Sequence, residues 1–130
     1  MKLTVVLLVA LFINVPVFAQ DSGSIGFNSV PEAYAALRKE AGAEFSNQGG
    51  WIIANVKEGP HSGIWSFTPN THPAHPAVIR RTVVEADGKI SIGMQALCGA
   101  AKPACDQLVD DFKKLNDQIR RDFQSRSKSK

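Results

Sequence analysis

The chain has 130 residues, 44% of them hydrophobic, with 15 basic against 12 acidic side chains and a formal net charge of +3. That length and composition describe a single globular domain and exclude a multidomain enzyme, a disordered chain and a polytopic membrane protein. Two cysteines and three histidines exclude a disulfide-dense knot and a cysteine-rich zinc module.

The first element along the chain reads as an export signal. Lys2 is a short positive region, residues 3–13 are apolar apart from Thr4, and Asn14 and Pro16 break the run. Val17-Phe18-Ala19 then sets small residues three before and just before the next bond. This is the pattern of a signal peptide over residues 1–19, cut after Ala19 to leave about 111 residues beginning at Gln20. The apolar run is too short and too interrupted to cross ~30 Å of hydrocarbon, so no stable membrane insertion is expected after cleavage. No cysteine follows the cut, which argues against a lipid anchor. The expected location is the periplasm or the secreted space.

Residues 20–28 read as a flexible lead-in. Ser29-Val30-Pro31-Glu32 has the spacing of a capping box, with proline tolerated in the first turn. The spacing predicts a helix over residues 31–41, with Val30, Tyr34, Leu37 and Ala41 on one stripe and Gly42 as its stop. Five strand-like segments follow, at residues 43–47, 51–56, 63–68, 77–85 and 89–97, each bounded by turn residues. Gly49-Gly50 suits a tight turn, Glu58-Gly59-Pro60 breaks the chain, and Asp87-Gly88 is a hairpin signal. In the last strand Ile90, Ile92, Met94 and Ala96 alternate with more polar residues, as on a sheet with one buried face. From about 103 to 123, Cys105, Leu108, Phe112, Leu115, Ile119 and Phe123 recur at intervals of three and four, predicting an amphipathic helix.

The predicted fold is therefore α+β. An N-terminal helix leads into an antiparallel five-strand meander, and a C-terminal amphipathic helix closes the chain. The simplest packing lays both helices on the one buried face. Residues 29–124 form the domain, and residues 125–130 read as a basic, disordered tail. Basic character is concentrated there, since residues 120–130 hold five basic side chains and one acid. The tail lacks the interleaved aromatics of a nucleic-acid surface, so no nucleic-acid partner is expected.

Cys98 ends the last strand and Cys105 opens the last helix. In an oxidising compartment this C-x6-C spacing predicts a structural disulfide contributing about 2–3 kcal/mol. Redox catalysis favours a C-x-x-C turn at a helix start, which this pair does not have.

The most unusual stretch lies between two strands. Trp65, Phe67 and Thr68 precede Pro69, His72, Pro73, His75 and Pro76. Three prolines restrict the loop before any partner arrives, which lowers the entropy lost on binding. Three readings follow: a structural loop whose imidazoles bond to backbone, a binding surface, or a Zn or Cu site formed by His61, His72 and His75. No cofactor is required, and the metal site is the weakest of the three.

Catalytic patterns are poor. Gly59-Pro60-His61-Ser62-Gly63 places serine beside histidine without forming G-x-S-x-G. There is no H-E-x-x-H, phosphate loop or G-x-G-x-x-G. Asp110 and Asp111 read as a solvated helix face. Arg80 and Arg81, as neighbours on a strand, must point to opposite faces. They are read either as partners of Glu85 or of an aspartate on the last helix, or as an anion-capturing pair beside the histidine loop.

The signal peptide, Trp65-x-Phe67-Thr68-Pro69, His72-Pro73-Ala74-x-Pro76, Arg80 or Arg81, and the Cys98 and Cys105 pair together resemble a family of small exported proteins of Gram-negative bacteria. The resemblance covers roughly residues 45–120. It implies export and the fold, and no activity. Some such proteins carry a chaperone label of the J-domain type. A J-domain requires His-Pro-Asp between two helices, whereas Ala74 follows His72-Pro73 here and the segment lies between strands.

The functional expectation is a non-enzymatic binding protein. Trp65, Phe67, His72, Pro73, His75, Pro76, Arg80 and Arg81 are its candidate contact residues, and an envelope protein is its expected partner. The alternatives are a metal-binding protein or envelope enzyme, and an inhibitor or immunity protein of a secreted hydrolase. The sequence leaves the oligomeric state open.

Overall fold

The structure is a computed structural model that describes residues 24–129. The expected signal peptide, residues 20–23 and Lys130 lie outside the described residues. The first helix, α1 (Val30–Lys39), begins as its capping residues require. Ser29 Oγ accepts from the Glu32 amide at 3.3 Å, and Glu32 Oε2 accepts from the Asn28 amide at 3.0 Å. The lead-in is anchored rather than loose from Ile25 onward. Ile25 is buried in the core, and Phe27 stacks edge-on against Trp65 at 5.8 Å.

Five strands follow in chain order, β1 (Glu44–Gln48), β2 (Trp51–Glu58), β3 (His61–Phe67), β4 (Ala77–Ala86) and β5 (Lys89–Cys98). They form one antiparallel sheet in the order β1-β2-β3-β4-β5. Gly49, Gly50, Asp87 and Gly88 all have positive φ, as two-residue hairpin turns demand. The chain break at Gly59-Pro60 is itself a two-residue turn, with Glu58 opposite His61, so β2 and β3 run longer than the sequence suggested.

The second helix, α2 (Lys102–Lys128), starts without a side-chain cap or an acid in its first turn. The Cys98–Cys105 disulfide fixes its start instead, bridging Cα atoms 5.9 Å apart. The helix continues to Lys128, with Arg126 and Lys128 favourably placed in its last turn. Residues 125–128 are thus helical, not a disordered tail.

The two helices lie on opposite faces of the sheet, which corrects the expectation of one shared buried face. On one face, Ala33 and Leu37 of α1 join Ala54, Val56, Trp65, Phe67 and Val78. On the other, Leu108 and Phe112 of α2 join Ala77 and Ile79. Val78 and Ile79 are consecutive and both wholly buried, so β4 must be covered from both sides. Within α2 the buried line is Leu108, Phe112 and Asn116, while Leu115 is 43% exposed. The expected stripe was therefore correct at Leu108 and Phe112 and wrong at Leu115.

Candidate functional site

One end of the sheet gathers the proline-histidine loop (residues 68–76), the turn before β2 and the disulfide-closed segment before α2. Pro69 approaches Gly50 so closely that a Cβ there would lie 3.3 Å from the proline Cβ. On the other flank, Gly99 donates to the Pro76 carbonyl at 2.8 Å, and a Cβ on Gly99 would lie 3.1 Å from Pro76 Cγ. Cys98 Sγ sits 3.5 Å from the Ala74 oxygen. Glycine on both sides, together with the disulfide, lets the loop seat against the sheet end.

The loop is also bonded to itself. The Thr68 amide donates to the Ala77 carbonyl, His72 to Pro69 and His75 to His72, at 3.0, 3.0 and 2.9 Å. The Ala74 amide donates to His72 Nδ1 at 3.0 Å, and the Ala77 amide to Thr68 Oγ1 at 3.0 Å. Thr68 Oγ1 in turn donates to the Ala77 carbonyl at 3.2 Å. His75 Nδ1 lies 3.1 Å from both the Thr68 carbonyl and Thr68 Oγ1. A carbonyl only accepts, so His75 Nδ1 carries a proton, and in the neutral ring Nε2 keeps the lone pair. His72 is the reverse: its Nδ1 accepts, so in the neutral ring Nε2 carries the proton. Thr71, Pro73, His75 and Pro76 present exposed surface. The His75–Pro76 peptide bond is cis.

The three histidines do not converge. His61 opens β3 at the far end of the sheet, about 20 Å along the strand from the loop. Both loop histidines already use Nδ1 for local bonds. No group of three metal-ligating side chains forms among the described residues. His61 and Ser62, adjacent on a strand, point to opposite faces and form no dyad. The metal and serine-nucleophile readings therefore lose their geometry.

Trp65 and Phe67 are not contact residues. They are 4% and 5% exposed, in the core beneath α1. Trp51, unremarked in the sequence, is half-buried at the loop instead. Its ring lies 5.2 Å from His72 and 5.7 Å from Phe112. Period-two alternation in β2 placed Trp51 with Ile53 on one face, and that was the available signal.

Arg80 and Arg81 do project to opposite faces, with opposite fates. Arg80 is paired within the fold. Its Nη2 and Nε donate to Glu58 at 2.6 and 3.3 Å, and its Nη1 donates to Gln95 at 2.9 Å. Its guanidinium lies 5.3 Å from the Trp65 ring centre. Glu58 reaches it across Gly63, where a Cβ would stand 2.5 Å from the carboxylate. Neither expected partner of Arg80 is used: not Glu85, and not an aspartate of α2. With the Glu58 carboxylate already on its guanidinium, Arg80 is no anion site.

Arg81 has no carboxylate partner among the described residues. It lies 5.4 Å from the Phe112 ring centre, and its Nε is buried without an acceptor. Burial pushes its pKa below the usual guanidinium value. An unmet buried donor costs about 1–3 kcal/mol. An aromatic contact returns about 0.5–1 kcal/mol. Arg81 thus carries an unmet donor that its aromatic contact only partly offsets.

No protein-family model matches the chain, and no curated protein or solved structure matches it. The disulfide fits an oxidising, extracytoplasmic setting. No helix of the described residues is long and apolar enough to cross a membrane.

Proposed function

We propose that this is an exported, periplasmic or secreted, non-enzymatic binding domain, and that its proline-histidine loop contacts a protein of the envelope. The observation that carries this reading is the loop's internal order. Four of its amides and that of Ala77 at the start of β4 donate within the molecule, while Thr71, Pro73, His75 and Pro76 stay exposed. A loop ordered beforehand loses little entropy when a partner docks. Residues committed inward hold the shape, and the outward ones offer it. The resemblance to small exported proteins supports the location and rests on the residues quoted for it.

The test is paired capture from envelope extract, with oxidised protein as bait beside a His75→Ala/Pro73→Ala form. The reading expects one protein retained by the wild type and lost by the variant, with both baits melting cooperatively. Equal retention by both folded baits would remove the loop as the contact. If the captured protein is a secreted hydrolase held at nanomolar affinity and silenced by the bait, the domain is its inhibitor. The contact surface is then the same.

A further inference from the structure

Helix α2 covers only part of its sheet face. Lys113, Asn116 and Arg120 line a hollow of about 400 Å³ against Ile92 and Met94, on the β5 side. Leu115 therefore flanks the other side of Phe112, above the β2 and β3 half of the sheet. There Trp51, Ile53, Ile64 and Arg81 are only half-buried. Ile64 pairs with Arg81 across the strands and borders an open hollow of about 680 Å³. Trp51 joins this strip to the loop through its contact with His72. The charged residues at its far rim, Glu44 and Lys57, are of opposite sign.

We infer that this uncovered strip is part of the docking surface, and that the partner seats an acidic side chain against Arg81. The inference rests on the binding reading above and specifies the partner's chemistry. Charge complementarity carries it. Arg80 has its carboxylate within the fold, whereas Arg81, one residue on, has none among the described residues. Its buried Nε lacks an acceptor, and its guanidinium lies over the Phe112 ring. A carboxylate arriving from outside meets the half-buried guanidinium at its Nη groups and supplies the counter-charge that the fold does not. Trp51 and Arg81 are also residue types that concentrate binding energy at protein interfaces.

The test uses oxidised, isotope-labelled protein and two blocked heptapeptides of alternating leucine and serine. One carries a central glutamate and the other glutamine. The glutamate peptide is expected to shift the Arg81 Nε–H signal and the Ile53, Ile64 and Leu115 methyls saturably, with the glutamine twin binding at least about tenfold more weakly. Arg81→Gln abolishes that difference, and Arg81→Lys restores part of it. Equal binding of the twins, shifts confined elsewhere, or no binding at all would overturn the inference. Arg81→Met provides the folding control. Its melting midpoint is expected to hold or rise by about 2–5 °C. A fall of that size would mark Arg81 as structural and overturn the inference too. In the capture experiment, a partner lost by the loop variant but fully held by Arg81→Gln leaves the loop reading standing and removes this one.

Discussion

Gly63 is the residue that lets two distant side chains meet. Glu58 ends β2 and Arg80 sits in β4, and the strand between them offers no Cβ at the crossing point. The pair is about one-quarter exposed at each end, so its contribution is modest, about 0.5–1 kcal/mol. In the native background Glu58→Gln is expected to cost that amount. In a Gly63→Ala background, where the carboxylate is displaced, the same change is expected to cost nothing. A double-mutant cycle by urea denaturation checks the coupling. Asn116 is the opposite case. It is 3% exposed, its Oδ1 has no partner, and its Nδ2 lies 3.6 Å from Met94 Sδ. Asn116→Leu is expected to raise stability by about 1 kcal/mol, read as a higher urea midpoint at unchanged slope.

At the scale of elements, the disulfide and the loop form one unit. The cross-link fixes an uncapped helix start and walls the loop at Ala74 and Pro76. Replacing Cys98 and Cys105 with alanine is expected to cost about 2–3 kcal/mol. The variant should also exchange the Gly99 amide faster, because the Pro76 carbonyl it binds loses its support. Thr68 is the loop's inner hinge pin. Its hydroxyl bonds both backbone groups of Ala77 and faces His75 Nδ1. Thr68→Val keeps the shape and strands the Ala77 amide, at an expected cost of about 1–3 kcal/mol in thermal or chemical unfolding. Unchanged stability would show that the loop's inner bonds contribute little.

For the whole molecule, the meander and the disulfide were legible because their signals are local. Glycine and Asp87-Gly88 mark the turns, alternation marks the strands, and Cys98 and Cys105 are close in sequence. The opposite placement of the helices was harder to read. It is written in Val78-Ile79, where consecutive apolar residues require cover on both faces. Trp65 and Phe67 share a face as period two requires, yet their place beside a loop made core residues look like contacts. Strand geometry foretold that Arg80 and Arg81 diverge. Which of them meets a carboxylate depends on Gly63 and on Glu58 reaching across a strand, and that is tertiary information. Trp51 was missed for a similar reason, because its neighbours His72 and Phe112 come from distant parts of the chain.

The proposed contact surface requires a loop that is ordered before any partner arrives, and amide hydrogen exchange on the oxidised, unliganded protein measures this most directly. The amides of Thr68, His72, Ala74, His75 and Ala77 all have acceptors within the loop and its strand ends. They are predicted to exchange well below free-peptide rates, with Thr68 and Ala77 approaching the protection of β3 and β4. Exchange of all five at free-peptide rates would mean a loop without fixed shape. That result would contradict the preorganised surface on which the proposed function rests.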